Sequence, residues 1–194
     1  PKLVAAGADA IHVSSGTLDG TLDRAVDPMS MPEGWRFEHC RAIKAVTHVP
    51  IMAVGPVRWP ETAEKALERG DVDIVALGRP LLADPDWPRK AIAGDVEHIR
   101  PCTNCNWCFD RVLRHQPIGC AENPRAGAEI HTAPLTVGNG QRVIVVGGGP
   151  GGMAAALDLA EAGFDTQLYE ASSELGGGLT ASATPPLKDK LFWY

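Results

Sequence analysis

Four of the five cysteines in this chain of 194 residues fall within one short stretch. Cys102, Cys105, Cys108 and Cys120 form the pattern C-x2-C-x2-C-x11-C. Three thiolates at successive spacings of three residues allow one tight loop to wrap three corners of a cluster, and a fourth thiolate from farther along the chain closes the site. The pattern therefore predicts a [4Fe-4S] cluster. The alternatives are zinc, which more often uses two separated C-x2-C pairs or includes histidine, and thiols that bind no metal.

A second chemical signal is the pattern Gly147-x-Gly149-x-x-Gly152, which follows an apolar run and opens a helix-like segment. Such glycines permit a tight turn, backbone approach to a pyrophosphate, and close packing of helix on strand. Glu170, at the end of the next predicted strand, suits two ribose hydroxyls and repels a 2′-phosphate, so FAD, ADP or NAD fits better than NADP. The predicted cofactor-binding residues of this turn are Gly147, Gly149, Pro150, Gly151, Gly152 and Glu170. A structural turn with an incidental glutamate is the alternative.

Glycines that end two predicted strands form a third candidate site. Gly55 closes the run AVG, and Gly78 lies in LGRP beside Arg79. Backbone amides at the carboxyl ends of consecutive barrel strands commonly hold a phosphate, and an arginine there adds a charge-assisted contact. Gly55, Gly78 and Arg79 are thus predicted to bind phosphate, and strand-terminal turns with a surface arginine are the alternative.

Three isolated residues are interpreted separately. His12, inside the first predicted strand, is interpreted as a packed or hydrogen-bonded core histidine, and contact with flavin or substrate is the alternative. Cys40, alone in a helical context, is interpreted as a small buried hydrophobic residue. Trp107, between two cysteines, is predicted to shield a cluster from water and so to shift its reduction potential. No residue is nominated as a proton donor, so the catalytic residues stay unknown.

The elements that position these residues show β/α repetition. Three apolar runs, at residues 9–15, 50–55 and 73–78, are predicted as parallel strands buried on both faces. FEHCRAIKAV and PETAEKALERG are predicted as helices between them, the second with Pro60 near its start and Gly70 at its end, and PLLADPDWPRKAIAG as a final helix. The long connection at residues 17–35 is expected to be functional. Three units cannot close a barrel of eight strands, so truncation is expected.

A second domain is predicted after the polar linker HTAPLTVGNGQ. RVIVVGGGPGGMAAALDLAEAGFDTQLYEA predicts a strand, a glycine turn, a helix ending at Gly163 and a second strand ending at Glu170. The predicted boundaries are residues 1–100 for the barrel portion, 101–135 for the cysteine segment and linker, and 136–194 for the nucleotide-binding portion. Neither half is expected to bury its apolar faces alone.

Composition limits the partners. The formal net charge is -6 and no Lys/Arg run occurs, which argues against a nucleic-acid surface and favours a small molecule. The apolar stretch at residues 143–164 is interrupted by Asp158 and Glu161, so no membrane span is predicted. Clustered cysteines without extracellular signals indicate a reducing compartment, and the cytoplasm is the predicted location. The oligomeric state stays open.

Taken in this order, the motifs resemble the Old Yellow Enzyme-type NADH:flavin oxidoreductases that carry an iron–sulfur cluster, a family with 2,4-dienoyl-CoA reductase, 2-enoate reductase and trimethylamine dehydrogenase among its members. The similarity covers nearly the whole chain. DAIHVSSG, PIMAVG and DIVALGRPLLADPDWPRKAIAG are similar to the sixth, seventh and eighth barrel strands. CTNCNWC and GCAENPRAG are similar to the cluster segment, VIVVGGGPGG to the start of the nucleotide domain, and LGGGLTASATPPLKDKLFWY to the region just beyond its second strand.

The resemblance implies an α/β fold: the C-terminal part of a TIM (β/α)8 barrel, a cysteine-rich segment and the start of a Rossmann-like FAD/NAD-binding domain. It implies FMN in the barrel, a [4Fe-4S] cluster beside it, FAD or a vestigial ADP in the second domain, and NAD(P)H as electron donor for reduction of an activated C=C bond. By that likeness Gly55, Gly78 and Arg79 hold the FMN phosphate, and the four clustered cysteines are the cluster ligands.

The sequence also departs from this family. The cysteine spacing is closer to the amine dehydrogenase branch, and Pro56, which has no amide hydrogen, follows Gly55. GTLDG, with Leu18 and Asp19, stands where the dienoyl-CoA reductases place a catalytic histidine. The substrate is therefore not assigned. Amine oxidation with ADP in place of FAD and a non-catalytic nucleotide-binding subunit with structural zinc are the alternatives, and the isolated chain is expected to be inactive.

Overall fold

The computed structural model describes residues 2–131 and 138–192, and the chain divides into two compact units, Pro1–Gly127 and Ala128–Tyr194. Each unit combines helices with a parallel sheet, so the predicted α/β class is confirmed. Within the predicted linker, residues 132–137 lie outside the described residues.

The first unit alternates helices and strands along its length. Its elements are α1 (Lys2–Ala5), β1 (Ile11–Val13), α2 (Leu22–Ala25), α3 (Phe37–Lys44), β2 (Ile51–Val54), α4 (Pro60–Glu68), β3 (Ile74–Ala76), α5 (Arg79–Ala83), α6 (Trp87–Ala93) and α7 (Trp107–Leu113), with a 3-10 turn at Val96–His98 before α7. The three predicted strands are all present.

These strands form one parallel sheet in the order β1-β2-β3. Ile11 pairs with Ile51, and Met52 pairs with Ile74. The prediction that each strand is buried on both faces is wrong for the outer two, since His12 on β1 is exposed and Ile74 on β3 is 43% exposed. The physical reason is position, because β2 alone among these strands has a neighbour on each side.

Helices α3 and α4 cover the sheet with small and aromatic side chains. The core of the unit is apolar and consists of Val13, Phe37, Cys40, Ile51, Ala53, Val57, Ala63, Ala66 and Val72. Cys40 has no exposed surface, which confirms its interpretation as a buried hydrophobic residue. Pro60 begins α4, and Gly70, with φ of 68°, follows its end as predicted.

The predicted final helix is wrong, because it is two helices, α5 and α6, separated at Asp84. The residue before a proline is disfavoured in the helical region, and Asp84, which precedes Pro85, has φ of -139° and ψ of 100°. The Asp84 carboxylate then accepts the backbone N–H of Asp86 at 3.0 Å and the ammonium of Lys90 at 2.6 Å. The break is therefore stabilised by side-chain hydrogen bonds at the start of α6.

The second unit contains β4 (Arg142–Val146), α8 (Pro150–Glu161), β5 (Asp165–Tyr169) and α9 (Gly178–Ala183), followed by a 3-10 turn at Asp189–Phe192. Strands β4 and β5 are parallel, and Val146 pairs with Tyr169. The predicted strand, glycine turn, helix and strand are confirmed, and Gly163, with φ of 86°, lies just beyond α8.

One sheet face of this unit exposes two apolar side chains of β4. Ile144 is 58% exposed and Val146 is 84% exposed on β4. The sheet thus keeps apolar surface in water, as expected for a part that does not bury its faces alone. Across residues 2–131 and 138–192, helices with the length and apolar character needed to cross a bilayer are absent.

Candidate functional site

A cavity of about 320 Å³ lies at the carboxyl ends of β1, β2 and β3. His12, Gly55, Gly78 and Arg79 line this strand-end cavity, so the three predicted phosphate-binding residues are brought together. The carboxyl ends of parallel strands meet at one edge of a sheet, which explains the convergence. The interpretation of His12 as a packed core residue is wrong, because its side chain is exposed and faces this cavity.

Two arginines and one aspartate give the strand-end cavity its charge. Arg36 and Asp27 are 2% and 3% exposed and form an ion pair of 2.8 Å between Nη1 and Oδ2. Arg79 Nη2 lies 3.3 Å from the same Asp27 oxygen. Two guanidinium groups share one carboxylate, so a positive charge is left for an anion. This electrostatic arrangement fits a phosphate.

Sequence reasoning missed Arg36 and Asp27. Asp27 lies in the long connection at residues 17–35, which was expected to be functional without naming a residue. The Asp27 carboxylate also accepts the indole N–H of Trp35 at 2.8 Å, and Arg36 Nε donates to the Ser15 hydroxyl at 2.7 Å. The connection is thus fastened to the end of β1 by partly buried hydrogen bonds.

The glycines of the cavity have different roles. A side-chain carbon on Gly55 would lie 3.2 Å from Arg36 Nη1, so glycine leaves room for that guanidinium. A side-chain carbon on Gly78 would have no atom within 4 Å, which leaves space on the cavity side. Pro56 is buried and has no N–H to offer, and the cationic donors that line the cavity near it are Arg36 and Arg79.

The cysteine loop, residues 102–108, is held by its main chain. Asn104 and Asn106 have φ of 59° and 64°, a left-handed conformation that asparagine tolerates better than most residues. The Cys102 carbonyl accepts Arg58 Nε at 3.1 Å, and the Arg58 side chain is almost fully buried. The loop therefore curls tightly while it is fixed to the end of the sheet.

A single carboxylate brings two distant cysteines together. Cys105 and Cys120 lie 4.0 Å and 3.3 Å from Oε2 of Glu122, measured from their sulfurs. The other oxygen of Glu122 accepts the hydroxyl of the buried residue Thr103. The predicted fourth ligand therefore does return to the loop that carries the first three. Glu122 is a site residue that sequence reasoning missed.

Burial raises the pKa values of these thiols, and hydrogen bonds from backbone amides lower them. Burial raises the pKa of Cys102 to about 11, against a hydrogen bond from the Asn104 backbone. Burial likewise raises the pKa of Cys120 to about 12, against hydrogen bonds from the backbones of Glu122 and Asn123. Without a bound metal both groups are thiols at neutral pH, and metal binding must release their protons. The amides are already placed to stabilise the thiolates that result.

The four cysteines can be compared with the ligand geometry of a single zinc ion and of a [4Fe-4S] cluster. Among the residues that the structure describes, sets of three or more His, Cys, Asp and Glu close enough for a single metal ion do not occur. A four-iron cluster binds each thiolate through a different iron, so its ligands stand farther apart than those of one zinc ion. Three of the four thiols, those of Cys102, Cys105 and Cys120, have backbone N–H donors, an arrangement that suits the thiolates of such a cluster.

Trp107 begins α7 in the middle of the cysteine loop. Its side chain is 46% exposed, and the Arg111 guanidinium lies 5.7 Å from its ring centroid. Arg111 Nε also donates to the Pro117 carbonyl at 2.6 Å, in the segment that leads back to Cys120. The shielding role of Trp107 stays a prediction.

The glycine turn of the second unit has the geometry of a strand-to-helix corner. Gly147 has φ of 105°, and Gly149 and Pro150 open α8. Gly149 and Gly151 have open space where a side chain would stand, which leaves the backbone accessible. A side-chain carbon on Gly152, in contrast, would lie 1.8 Å from the Gly147 carbonyl oxygen. The tight turn at Gly147 and the close packing at Gly152 are as predicted, and pyrophosphate binding at Gly149 stays a prediction.

Glu170 is fixed beside this turn. It accepts the Gly148 N–H at 2.6 Å, and the Ser172 N–H and hydroxyl at 2.9 and 3.0 Å. Hydrogen bonds from Ser172 and Gly148 lower the pKa of Glu170 to about 2. The carboxylate therefore stays charged throughout the neutral range, and these hydrogen bonds fix its orientation beside the turn.

The contrast between Gly152 and Gly151 gives a matched pair of variants. Gly152→Ala is expected to lower the free energy of unfolding of the second unit by about 1–3 kcal/mol, because the new methyl group overlaps a backbone oxygen. Gly151→Ala meets open space and is expected to leave stability nearly unchanged or slightly raised. Chemical denaturation of both variants measures the difference, and equal stabilities would contradict the close packing of α8 on β4.

Models of known protein families match a stretch of residues in each of the two units. Residues 7–97 match the model of the NADH:flavin oxidoreductase / NADH oxidase family, and residues 142–193 match that of FAD dependent oxidoreductases. The chain belongs to the NADH:flavin oxidoreductase family, whose members are enzymes.

Three similar proteins illustrate the range of this family. An NADH oxidase of Thermoanaerobacter brockii is 40% identical over 97% of this chain and 29% of its own length. A cinnamate reductase of Clostridium sporogenes is 35% identical over 96% of this chain and 28% of its own. The structure of a 6-hydroxypseudooxynicotine amine oxidase from Pseudomonas geniculata superimposes with a TM-score of 0.86, at 30% identity, over 97% of this chain and 29% of that one. The chain thus spans less than a third of each of these proteins.

Proposed function

We propose that this chain carries three cofactor sites of a multi-cofactor oxidoreductase: FMN at the strand-end cavity, a [4Fe-4S] cluster at the four cysteines, and FAD or ADP at the glycine turn. The observation that carries the proposal is that Arg79 belongs to both the strand-end cavity and the surroundings of Cys108. A phosphate site and a four-thiol site thus share one side chain within the first unit.

In this proposal the three parallel β/α units are part of a TIM barrel, and its strand ends bind the FMN phosphate. Arg79 and Arg36 supply positive charge, Gly78 leaves space, and Asp27 orients both guanidinium groups. When bound, the flavin supplies hydride chemistry and the cluster supplies one-electron transfer. The protein's own part is to hold the phosphate, to supply four cysteines, and to donate backbone hydrogen bonds to Cys102, Cys105 and Cys120.

The glycine turn is proposed to bind the pyrophosphate of FAD or ADP. The open backbone at Gly149 and Gly151 and the N-terminus of α8 provide amides and a positive dipole end, and Glu170 accepts from the ribose hydroxyls. Its fixed negative charge disfavours a 2′-phosphate, a group that FAD and ADP lack, and NAD(P)H is the proposed electron donor.

The proposed reaction is reduction of an activated C=C bond of a small organic molecule, supported by the similarity to a cinnamate reductase. Amine oxidation is the second candidate, favoured by the C-x2-C-x2-C spacing and by the likeness to an amine oxidase structure. The acidic net charge favours a small-molecule partner over nucleic acid, and the thiol-rich site suits the cytoplasm.

Flavin binding tests the proposed phosphate site. FMN is expected to bind the full chain about 10- to 100-fold more tightly than riboflavin, since only FMN has a phosphate for the charge-assisted hydrogen bonds. Arg79→Lys loses the planar guanidinium that can donate two parallel hydrogen bonds, so the ratio of FMN affinity to riboflavin affinity should become smaller. Titration followed by flavin fluorescence gives both constants. Equal affinities for FMN and riboflavin would refute an FMN phosphate site at this cavity.

The two candidate reactions give opposite spectral changes under anaerobic conditions. If the protein reduces C=C bonds, adding cinnamate to the reduced holoprotein restores the absorbance of oxidised flavin. If it oxidises amines, a secondary amine bleaches the oxidised flavin without NADH. Bleaching by the amine together with no response to cinnamate would replace the first candidate with the second.

A further inference from the structure

Arg79 is placed between two sites of the first unit. Besides the strand-end cavity, it lines an apolar cavity of about 260 Å³ together with Cys108 and Phe109. Its side chain is 21% exposed, so most of this side chain is enclosed between the strand-end cavity and the apolar cavity. Any group that orients this guanidinium therefore acts on both sites at once.

The cysteine loop itself supplies one such group. Arg79 Nη1 donates to Oδ1 of Asn106, which lies between the second and third cysteines, and to the main-chain carbonyl of Asp27 at 2.8 Å. The amide nitrogen of Asn106 reaches the Val26 carbonyl at 3.5 Å. The side chain of Asn106 thus joins the cysteine loop to the arginine of the cavity and to the connection that carries Asp27.

A second asparagine of the loop contacts the same segment. Asn104 Nδ2 donates to the Asp27 carbonyl at 3.2 Å, and Asn104 is 4% exposed. The Asp27 carbonyl therefore accepts from Asn104 and from Arg79. The loop and the cavity meet through this small set of hydrogen bonds. Arg79 Nη2 also donates to Oδ2 of Asp27 at 3.3 Å, on the side of the strand-end cavity.

We propose that Asn106 is a positioning residue that couples FMN binding to cluster retention. The inference rests on the proposed function, since it needs a phosphate at Arg79 and a cluster at the cysteines. When the loop is ordered around a cluster, Asn106 holds the Arg79 guanidinium in one orientation, and the phosphate meets a preorganised donor. By linkage, bound FMN must then strengthen cluster retention by the same factor.

The test compares FMN affinities of the full chain loaded with iron and sulfide and of the same chain stripped by chelation. In the natural sequence, cluster removal is expected to weaken FMN binding by about tenfold, within the usual range of coupling between sites. In Asn106→Gly the effect of the cluster on FMN affinity should fall below about twofold. Glycine suits the φ of 64° at this position, so the variant removes the amide without straining the backbone.

Two further variants keep the test specific. Asn139→Gly changes another asparagine of positive φ, at 44°, in the second unit, and should keep the full coupling. Asn106→Asp retains an oxygen acceptor for Arg79 and should also keep the effect of the cluster on FMN affinity. A purely structural role of the loop would lower affinity in Asn106→Gly equally with and without the cluster.

The outcomes separate this inference from the function on which it rests. Unchanged coupling in Asn106→Gly, or coupling lost equally in Asn106→Asp, would overturn the role of Asn106 while FMN and cluster binding stand. A natural chain that binds neither FMN nor iron would overturn the proposed function, and the inference with it.

Discussion

Replacing Cys120 with serine is expected to remove the cluster. A serine hydroxyl does not ionise as a thiol does near neutral pH, so the site keeps three thiolates and loses the ligand that closes it. Iron per chain should fall from about four atoms to below about one, with loss of the broad visible absorbance of an iron–sulfur centre. Iron analysis and absorbance spectra of anaerobically purified protein measure the change.

Cys40→Ala is the matched control, because Cys40 is buried in the core of the same unit and away from the cysteine stretch. Its iron content should equal that of the natural chain, with a modest loss of stability from the smaller side chain. Iron retained in Cys120→Ser, or lost equally in Cys40→Ala, would contradict the assignment of the fourth ligand.

Asp27→Ala is expected to destabilise the first unit strongly. It leaves the buried guanidinium of Arg36 without its carboxylate and removes a partner of Arg79 and of the Trp35 indole. Breaking a buried ion pair from one side costs about 3–5 kcal/mol, because an uncompensated charge stays in a medium of low polarity. Chemical denaturation followed by tryptophan fluorescence measures the loss in the free energy of unfolding.

Asp19→Ala provides the comparison, since Asp19 lies in the same connection and is exposed. Asp19→Ala should change the free energy of unfolding by no more than about 0.5 kcal/mol. A loss below about 1 kcal/mol in Asp27→Ala would show that the two arginines do not depend on this carboxylate.

Local patterns were enough to predict much of the fold. The apolar runs that became β1, β2 and β3, and the glycine turn before α8, are encoded in a few adjacent residues whose spacing has a direct structural cause. Gly152 shows this most clearly, because its contact with the Gly147 carbonyl belongs to the motif itself. The cysteine spacing likewise indicated a shared site, and Cys105 and Cys120 do meet at Glu122.

The residues that were missed depend on contacts between distant parts of the chain. Asp27 and Arg79 are far apart in sequence, and neither periodicity nor a motif predicts that they meet at a sheet edge. The exposure of His12 depends on which strands flank β1, which a strand pattern does not reveal. The break before α6 was predictable in principle, since Pro85 disfavours a helical Asp84.

The composition of the full chain purified without oxygen tests the central claim most directly. Our account predicts about four iron atoms, about four acid-labile sulfides and one FMN for each chain. One zinc ion per chain without sulfide, or bound flavin without iron, would contradict it.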